Sequence, residues 1–77
     1  MKIYKLEIEI ELELKDWDGF ISIDMSGDIY QYDVEPVKNK CERVWDQKGK
    51  KCVFIYDLGN PYKDWENSLI DLSKQKQ

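Results

Sequence analysis

From Tyr4 to Lys15 the chain alternates without a break. Tyr4, Leu6, Ile8, Ile10, Leu12 and Leu14 take the even positions; Lys5, Glu7, Glu9, Glu11, Glu13 and Lys15 take the odd ones. Period 2 over this length predicts an extended strand over 3–15, one face buried and one wet. Glu and Leu favour helix, but a helical period would scatter these leucines around the axis, so the pattern decides against propensity. So long a strand favours a bend or bulge near its middle.

The rest of the chain reads as shorter pieces. Asp16-Trp17-Asp18-Gly19 is a turn, with Asp-Gly a strong two-residue hairpin signal. A second strand follows at 20–25, with Ile21, Ile23 and Met25 on one face. Ser26-Gly27 turns the chain into a third strand at 29–35, with Tyr30, Tyr32 and Val34 on one face, and Pro36 stops it. With these loops Leu14 falls opposite Ile23, Leu12 opposite Met25, Ile23 opposite Tyr30 and Ile21 opposite Tyr32. The apolar sets then share one face, an agreement that a one-residue slip would destroy. Residues 37–40 read as a loop. Strands at 41–46 and 51–58 form a hairpin with Lys48-Gly49 at its tip, Trp45 facing Cys52 and Cys41 facing Tyr56.

Gly59-Asn60-Pro61 then breaks the sheet and opens a helix over 61–73. Asn60 suits the N-cap and Pro61 the first helical position. Asp64 and Glu66 near the start and Lys74 and Lys76 near the end match the helix dipole. Tyr62, Trp65, Leu69 and Leu72 form one apolar stripe. The expectation is an α+β fold: a five-stranded, mostly meander antiparallel sheet with one C-terminal helix packed on one face. At 77 residues this is a single small domain, 1–77, in which most apolar side chains are needed for folding.

Charge is divided unevenly along the chain. Residues 1–36 hold ten acids against three lysines; residues 37–77 hold eight lysines and one arginine against six acids; the whole carries −4 at pH 7. An acidic chain with a single Arg is a poor match for a phosphate backbone and a better one for a basic surface. The lysines 38, 40, 48, 50 and 51, interleaved with Trp45, Phe54 and Tyr56, imitate a single-strand platform. Lysine at hairpin tips and edges equally serves solubility. The expected partners therefore include no nucleic acid bound directly. No apolar run approaches a membrane span of ~20 residues and no export signal is visible, so the expectation is a cytoplasmic protein with no membrane partner.

The sequence lacks histidine, which removes most triad, acid–base and metal chemistry. Cys41 and Cys52 have no imidazole to activate them and read as free, partly buried thiols. Their predicted register holds them roughly 13 Å apart, beyond the ~7 Å that a disulfide spans. Asp16, Asp18, Asp24 and Asp28 cluster about two turns, but Gly19 follows Asp18 too soon for an EF-hand loop. The expectation is a protein that is not an enzyme, with no catalytic, cofactor or metal residues.

What the pattern singles out is the wet face of the first strand. Glu7, Glu9, Glu11 and Glu13 project from one side, ~6.6–6.8 Å apart by the strand repeat, with Asp24, Asp33 and Glu35 expected on the same face. Neighbouring pairs repel by about 0.6 kcal/mol in water, a tolerable cost for a solvated face that also blocks strand stacking. The functional alternative is recognition of a basic protein surface, where carboxylates stand in for phosphates. In size, charge and compactness the chain is similar to the small acidic inhibitors that phages make against host nucleases, glycosylases and CRISPR effectors. The competing class is an assembly module: the second strand pairs only the C-terminal half of the first, leaving Tyr4, Leu6 and Ile8 for another strand or for a second copy in a homodimer.

Overall fold

The computed structural model describes residues 2–5 and 10–74, the first stretch as the course of its backbone. The strands are β1 (Lys2–Lys5), β2 (Glu11–Leu14), β3 (Phe20–Ile23), β4 (Asp28–Tyr32), β5 (Val37–Asn39), β6 (Val44–Asp46), β7 (Cys52–Asp57) and β8 (Ile70–Asp71). Their centre is an antiparallel sheet in the order β7-β4-β3-β8, and β1-β2 and β5-β6 are separate hairpins. The expected five-stranded meander with a packed helix is therefore not the fold.

The long first strand is the largest correction. β1 and β2 pair antiparallel, with Lys2 opposite Leu14, Tyr4 opposite Leu12 and Lys5 opposite Glu11, so the two ends of the alternating stretch run in opposite directions. Even positions meet even positions in this register. A hairpin and one continuous strand thus carry the same inside–outside alternation. Leu12, 1% exposed, and Leu14 point into the core. They join Ile21, Ile23, Ile29 and Leu72 in one apolar cluster.

That cluster covers one face of the central sheet. The β3–β4 register sets Ile23 opposite Ile29, Ser22 opposite Tyr30, Ile21 opposite Gln31 and Phe20 opposite Tyr32. Alternation then places Ile21, Ile23, Ile29 and Gln31 on the first face and Ser22, Tyr30 and Tyr32 on the second. Tyr32, Trp45 and Trp65 form a second cluster with Tyr30, Cys52 and Leu69 around it. Both faces are covered, so Ser22 is as buried as the isoleucines beside it.

The expected pairing of Ile23 with Tyr30 is thus one residue out, and the turn explains it. Asp24 N–H donates to Asp28 O at 2.9 Å and Gly27 N–H to Asp24 O at 2.9 Å, closing a loop longer than Ser26-Gly27 alone. Gly27 has φ +97, and a side chain there would strike the Asn60 carbonyl, so this tight approach requires glycine. The expected pairing of the second strand with the first is also absent. β3 pairs with β4 and β8 instead.

The expected hairpin of 41–46 with 51–58 is replaced as well. Residues 37–40 contribute β5, which pairs with β6, Lys38 opposite Trp45, while β7 pairs with β4, Cys52 opposite Tyr32. Arg43 at φ 61 and its N–H bond to Asn39 O at 2.8 Å close the β5–β6 turn.

No helix occupies 61–73. That segment holds two 3-10 turns, Trp65–Asn67 and Leu72–Lys74, with β8 between them. β8 pairs Ile70 with Ile21 and Asp71 with Phe20 along the outer edge of β3. Beyond β8, the Ser68 hydroxyl accepts the Ile23 N–H at 2.9 Å and lies 3.1 Å from Ile23 O and 2.7 Å from Trp65 O. A helix would satisfy its own backbone and leave the buried edge of β3 without partners, which is the costlier arrangement. The apolar stripe still turns inward: Trp65 and Leu72 are buried, and Tyr62 and Leu69 are half-buried.

Candidate functional site

Five of the seven acidic positions that the sequence singles out are among the described residues, and these five differ in burial. Glu11 and Glu13 are exposed on β2, between its two buried leucines. Glu7 and Glu9 lie outside the described residues. Glu35 is exposed between β4 and β5. Asp33 is half-buried and accepts the Lys50 N–H at 3.2 Å. Burial works to raise its pKa, but the main-chain N–H groups of Lys51 and Lys50 outweigh that and hold it below the ordinary value. Its carboxylate serves to dock the 50–51 segment.

Asp24 departs furthest from expectation. It is 7% exposed and accepts the Trp45 main-chain N–H through Oδ1 at 2.9 Å. Desolvation pushes its pKa up; the Trp45 hydrogen bond opposes this, and the charges of Asp28 and Asp46 add to it. Asp24 belongs to the interior margin of the second face, not to a row with Glu11 and Glu13.

That margin contains a surface cleft of about 310 Å³, lined by Asp24, Tyr30, Tyr32, Trp45, Asp46 and Cys52 together with Val44 and Gln47. Each wall has its own support. The Trp45 indole Nε1–H donates to Trp65 O at 3.1 Å, and the two indoles meet edge to face with centroids 6.2 Å apart. Tyr30 and Tyr32 stand with centroids 6.3 Å apart and planes tilted by 41°. Asp46 Oδ2 accepts from the Asn39 amide at 3.0 Å across the β5–β6 hairpin. Cys52, opposite Tyr32 in the ladder, has its thiol pushed up by burial and then by Asp24 and Asp33, which keeps it protonated.

Sequence reasoning weighed Trp45 and Cys52 as partners across a hairpin. They meet in the cleft although they lie on strands that do not pair. Tyr30, Tyr32 and Asp46 were not singled out as a site. Their only signal was the density of aromatic residues in the strand segments, which also describes an ordinary core. Gln31 was missed because a single polar residue within a strand segment carries no pattern that marks it as buried. It lies on the first face, accepts the Lys15 N–H at 2.7 Å and donates to Asp18 O at 2.7 Å and Lys15 O at 3.2 Å.

Both thiols are free, Cys41 exposed and Cys52 half-buried. Among the described residues no three His, Cys, Asp or Glu side chains are grouped to hold a metal ion. Among them, too, no helix is long and apolar enough to cross a membrane. Comparison with protein-family models, curated proteins and solved structures finds no match.

Proposed function

We propose that this chain is a small acidic protein-binding module whose partner presents a basic surface. A host protein that handles nucleic acid, such as a nuclease or a CRISPR effector, carries surface of that kind. The observation that supports the reading most is the posture of β2. Leu12 and Leu14 are fixed in the core while Glu11 and Glu13 are held outward by the same four residues. Carboxylates held in place by their own backbone need little further ordering when they bind. Exposed charges of one sign speed encounter and make it salt-sensitive. Glu35 is the third described carboxylate of this reading. Asp24 and Asp33 leave the exposed row, because each commits one carboxylate oxygen to a main-chain N–H within the fold, Asp24 to that of Trp45 and Asp33 to that of Lys50.

The reading is tested by capture from host lysate with tagged wild-type protein and with the Glu11→Gln, Glu13→Gln variant, both eluted on a salt gradient. The expected result is a partner that wild type retains and the variant releases at lower salt, with equal melting temperatures. Identical elution of the two would reduce the acidic positions to a solvated face.

Self-association is the second reading, and it has moved to another edge. Of Tyr4, Leu6 and Ile8, which the sequence offered to a second copy, Tyr4 is paired with Leu12 of β2, and Leu6 and Ile8 lie outside the described residues. β7 ends the central sheet and exposes Phe54 at 52% and Tyr56 at 43%. No Lys or Pro interrupts its sequence CVFIYD. Light scattering that gives twice the chain mass, abolished by Phe54→Lys, would support this reading over the first.

A further inference from the structure

We infer that the cleft between β6 and the central sheet is a binding site for the guanidinium group of an arginine side chain on a partner protein, held between the aromatic side chains of Tyr30 and Trp45 and the carboxylates of Asp24 and Asp46. This rests on the reading of the chain as a module for basic partners and gives that reading an anchor distinct from β2.

Three observations carry it. The first is composition of the walls: the accessible parts of Tyr30 and Trp45 and two carboxylates meet around one opening, over the buried Tyr32. Aromatic faces attract cations through their quadrupole, and Arg does so most often because its planar group also stacks. The volume of about 310 Å³ lies at the low end of the ~300–1,000 Å³ range of ligand pockets, which suits one side chain.

The second is the field inside. Tyr30, Tyr32 and Cys52 come from two strands, and each has its ionisation suppressed by burial and by the charge of Asp24. Asp28 adds to the effect at Tyr30 and Asp33 at Cys52. Burial, the larger cause, opposes charge of either sign; the Asp24 carboxylate beside all three groups is the part that sets the sign of the local field as negative. Among the described residues, the Asp24 carboxylate accepts one hydrogen bond, through Oδ1, and a bound guanidinium would satisfy Oδ2.

The third is internal precedent. The ammonium of Lys38 stands 5.7 Å from the Trp45 ring centroid, with Glu66 Oε1 3.8 Å away. The ring that lines the cleft already takes a cation when a carboxylate is beside it.

The test is an NMR titration with N-acetyl-arginine methylamide, its neutral isostere N-acetyl-citrulline methylamide, and N-acetyl-lysine methylamide. The expected result is saturable shifts of the Trp45 indole N–H and of the Tyr30, Trp45 and Cys52 amides with the arginine compound. The lysine compound should bind several-fold more weakly, and the citrulline compound should leave those signals unmoved. Asp24→Asn and Asp46→Asn, each verified as folded by its amide spectrum, should weaken arginine binding about tenfold, the loss of one charge-assisted bond. Citrulline shifts equal to those of arginine would overturn the proposal, since apolar filling would then suffice. A lysine compound that binds as tightly would overturn the guanidinium assignment. Arginine shifts confined to Glu11 and Glu13 would overturn the cleft while leaving the acidic-surface reading intact.

Discussion

The Asp24 carboxylate accepts the Trp45 main-chain N–H at 2.9 Å, tying the turn after β3 to the middle of β6. One short side chain thus fixes how the β5–β6 hairpin lies over the second face of the central sheet. It does so with a charge that burial disfavours, since desolvation is the leading cause of its raised pKa.

The sign of the pH dependence follows. Folded Asp24 binds its proton more tightly than the unfolded chain does, where the ordinary value is 3.8. The stability this represents is full below that value and is lost as pH rises through the higher folded-state value. Asp24→Asn keeps the acceptor oxygen and removes the charge. It should be more stable than wild type at neutral pH, with the difference closing as pH falls toward 3.8. Asp24→Ala leaves the Trp45 N–H without its partner and should cost about 1–3 kcal/mol. Urea melts of the three proteins at neutral and acid pH check this. A gap between wild type and Asp24→Asn that does not change with pH would contradict it.

Gln31 should tolerate neither of its near-isosteres. Leu fills the volume but abandons the Lys15 N–H and the carbonyls of Lys15 and Asp18, a loss of about 1–3 kcal/mol. Glu retains an acceptor and, when ionised, turns a buried charge toward two carbonyl oxygens. Gln31→Glu should therefore melt below Gln31→Leu at neutral pH and recover on acidification, when the carboxyl can donate. Thermal melts of both variants at two pH values decide it.

Ser68→Ala should loosen the edge of β3. The Ile23 N–H loses its acceptor in a buried setting, for a cost of about 1–2 kcal/mol. Amide hydrogen exchange is the sharper measurement. The Ile23 amide should lose more protection than that of Ile21, whose edge is paired with Ile70. Uniform loss across β3 would mean that Ser68 acts only through global stability.

Trp65→Ala should cost about 3–5 kcal/mol, close to the whole stability expected of a domain this small. The indole is 4% exposed and supports Trp45 edge to face. A cooperative denaturant melt with an unshifted midpoint would show that the second cluster does not depend on it. Since Trp45 lines the cleft, Trp65→Phe is the variant to use where a folded protein is needed.

The alternation of Tyr4 to Leu14 settled which side chains face inward on β2, because a period of 2 leaves Leu12 and Leu14 no other side. In the C-terminal segment the inward turn of Trp65 was legible, but Leu69, expected beside it at the centre of a helical stripe, is only half-buried, and the helix whose spacing defined that stripe does not form. Turn residues marked the loops near Gly19 and Gly27, and β7 falls within the strand read at 51–58. What the sequence left open was pairing. A hairpin in which Tyr4 meets Leu12 and a single strand through both have identical patterns, so only the competition of backbones for hydrogen-bond partners chooses between them. The same competition turned 61–73 away from helix, since β3 needed Ile70, Asp71 and Ser68 along its edge. The acidic pattern shared this limit: side-chain chemistry marked Asp24 as one more surface carboxylate, and only the tertiary fold, by bringing β6 across the turn that holds it, made Asp24 a buried acceptor at the edge of an aromatic cleft.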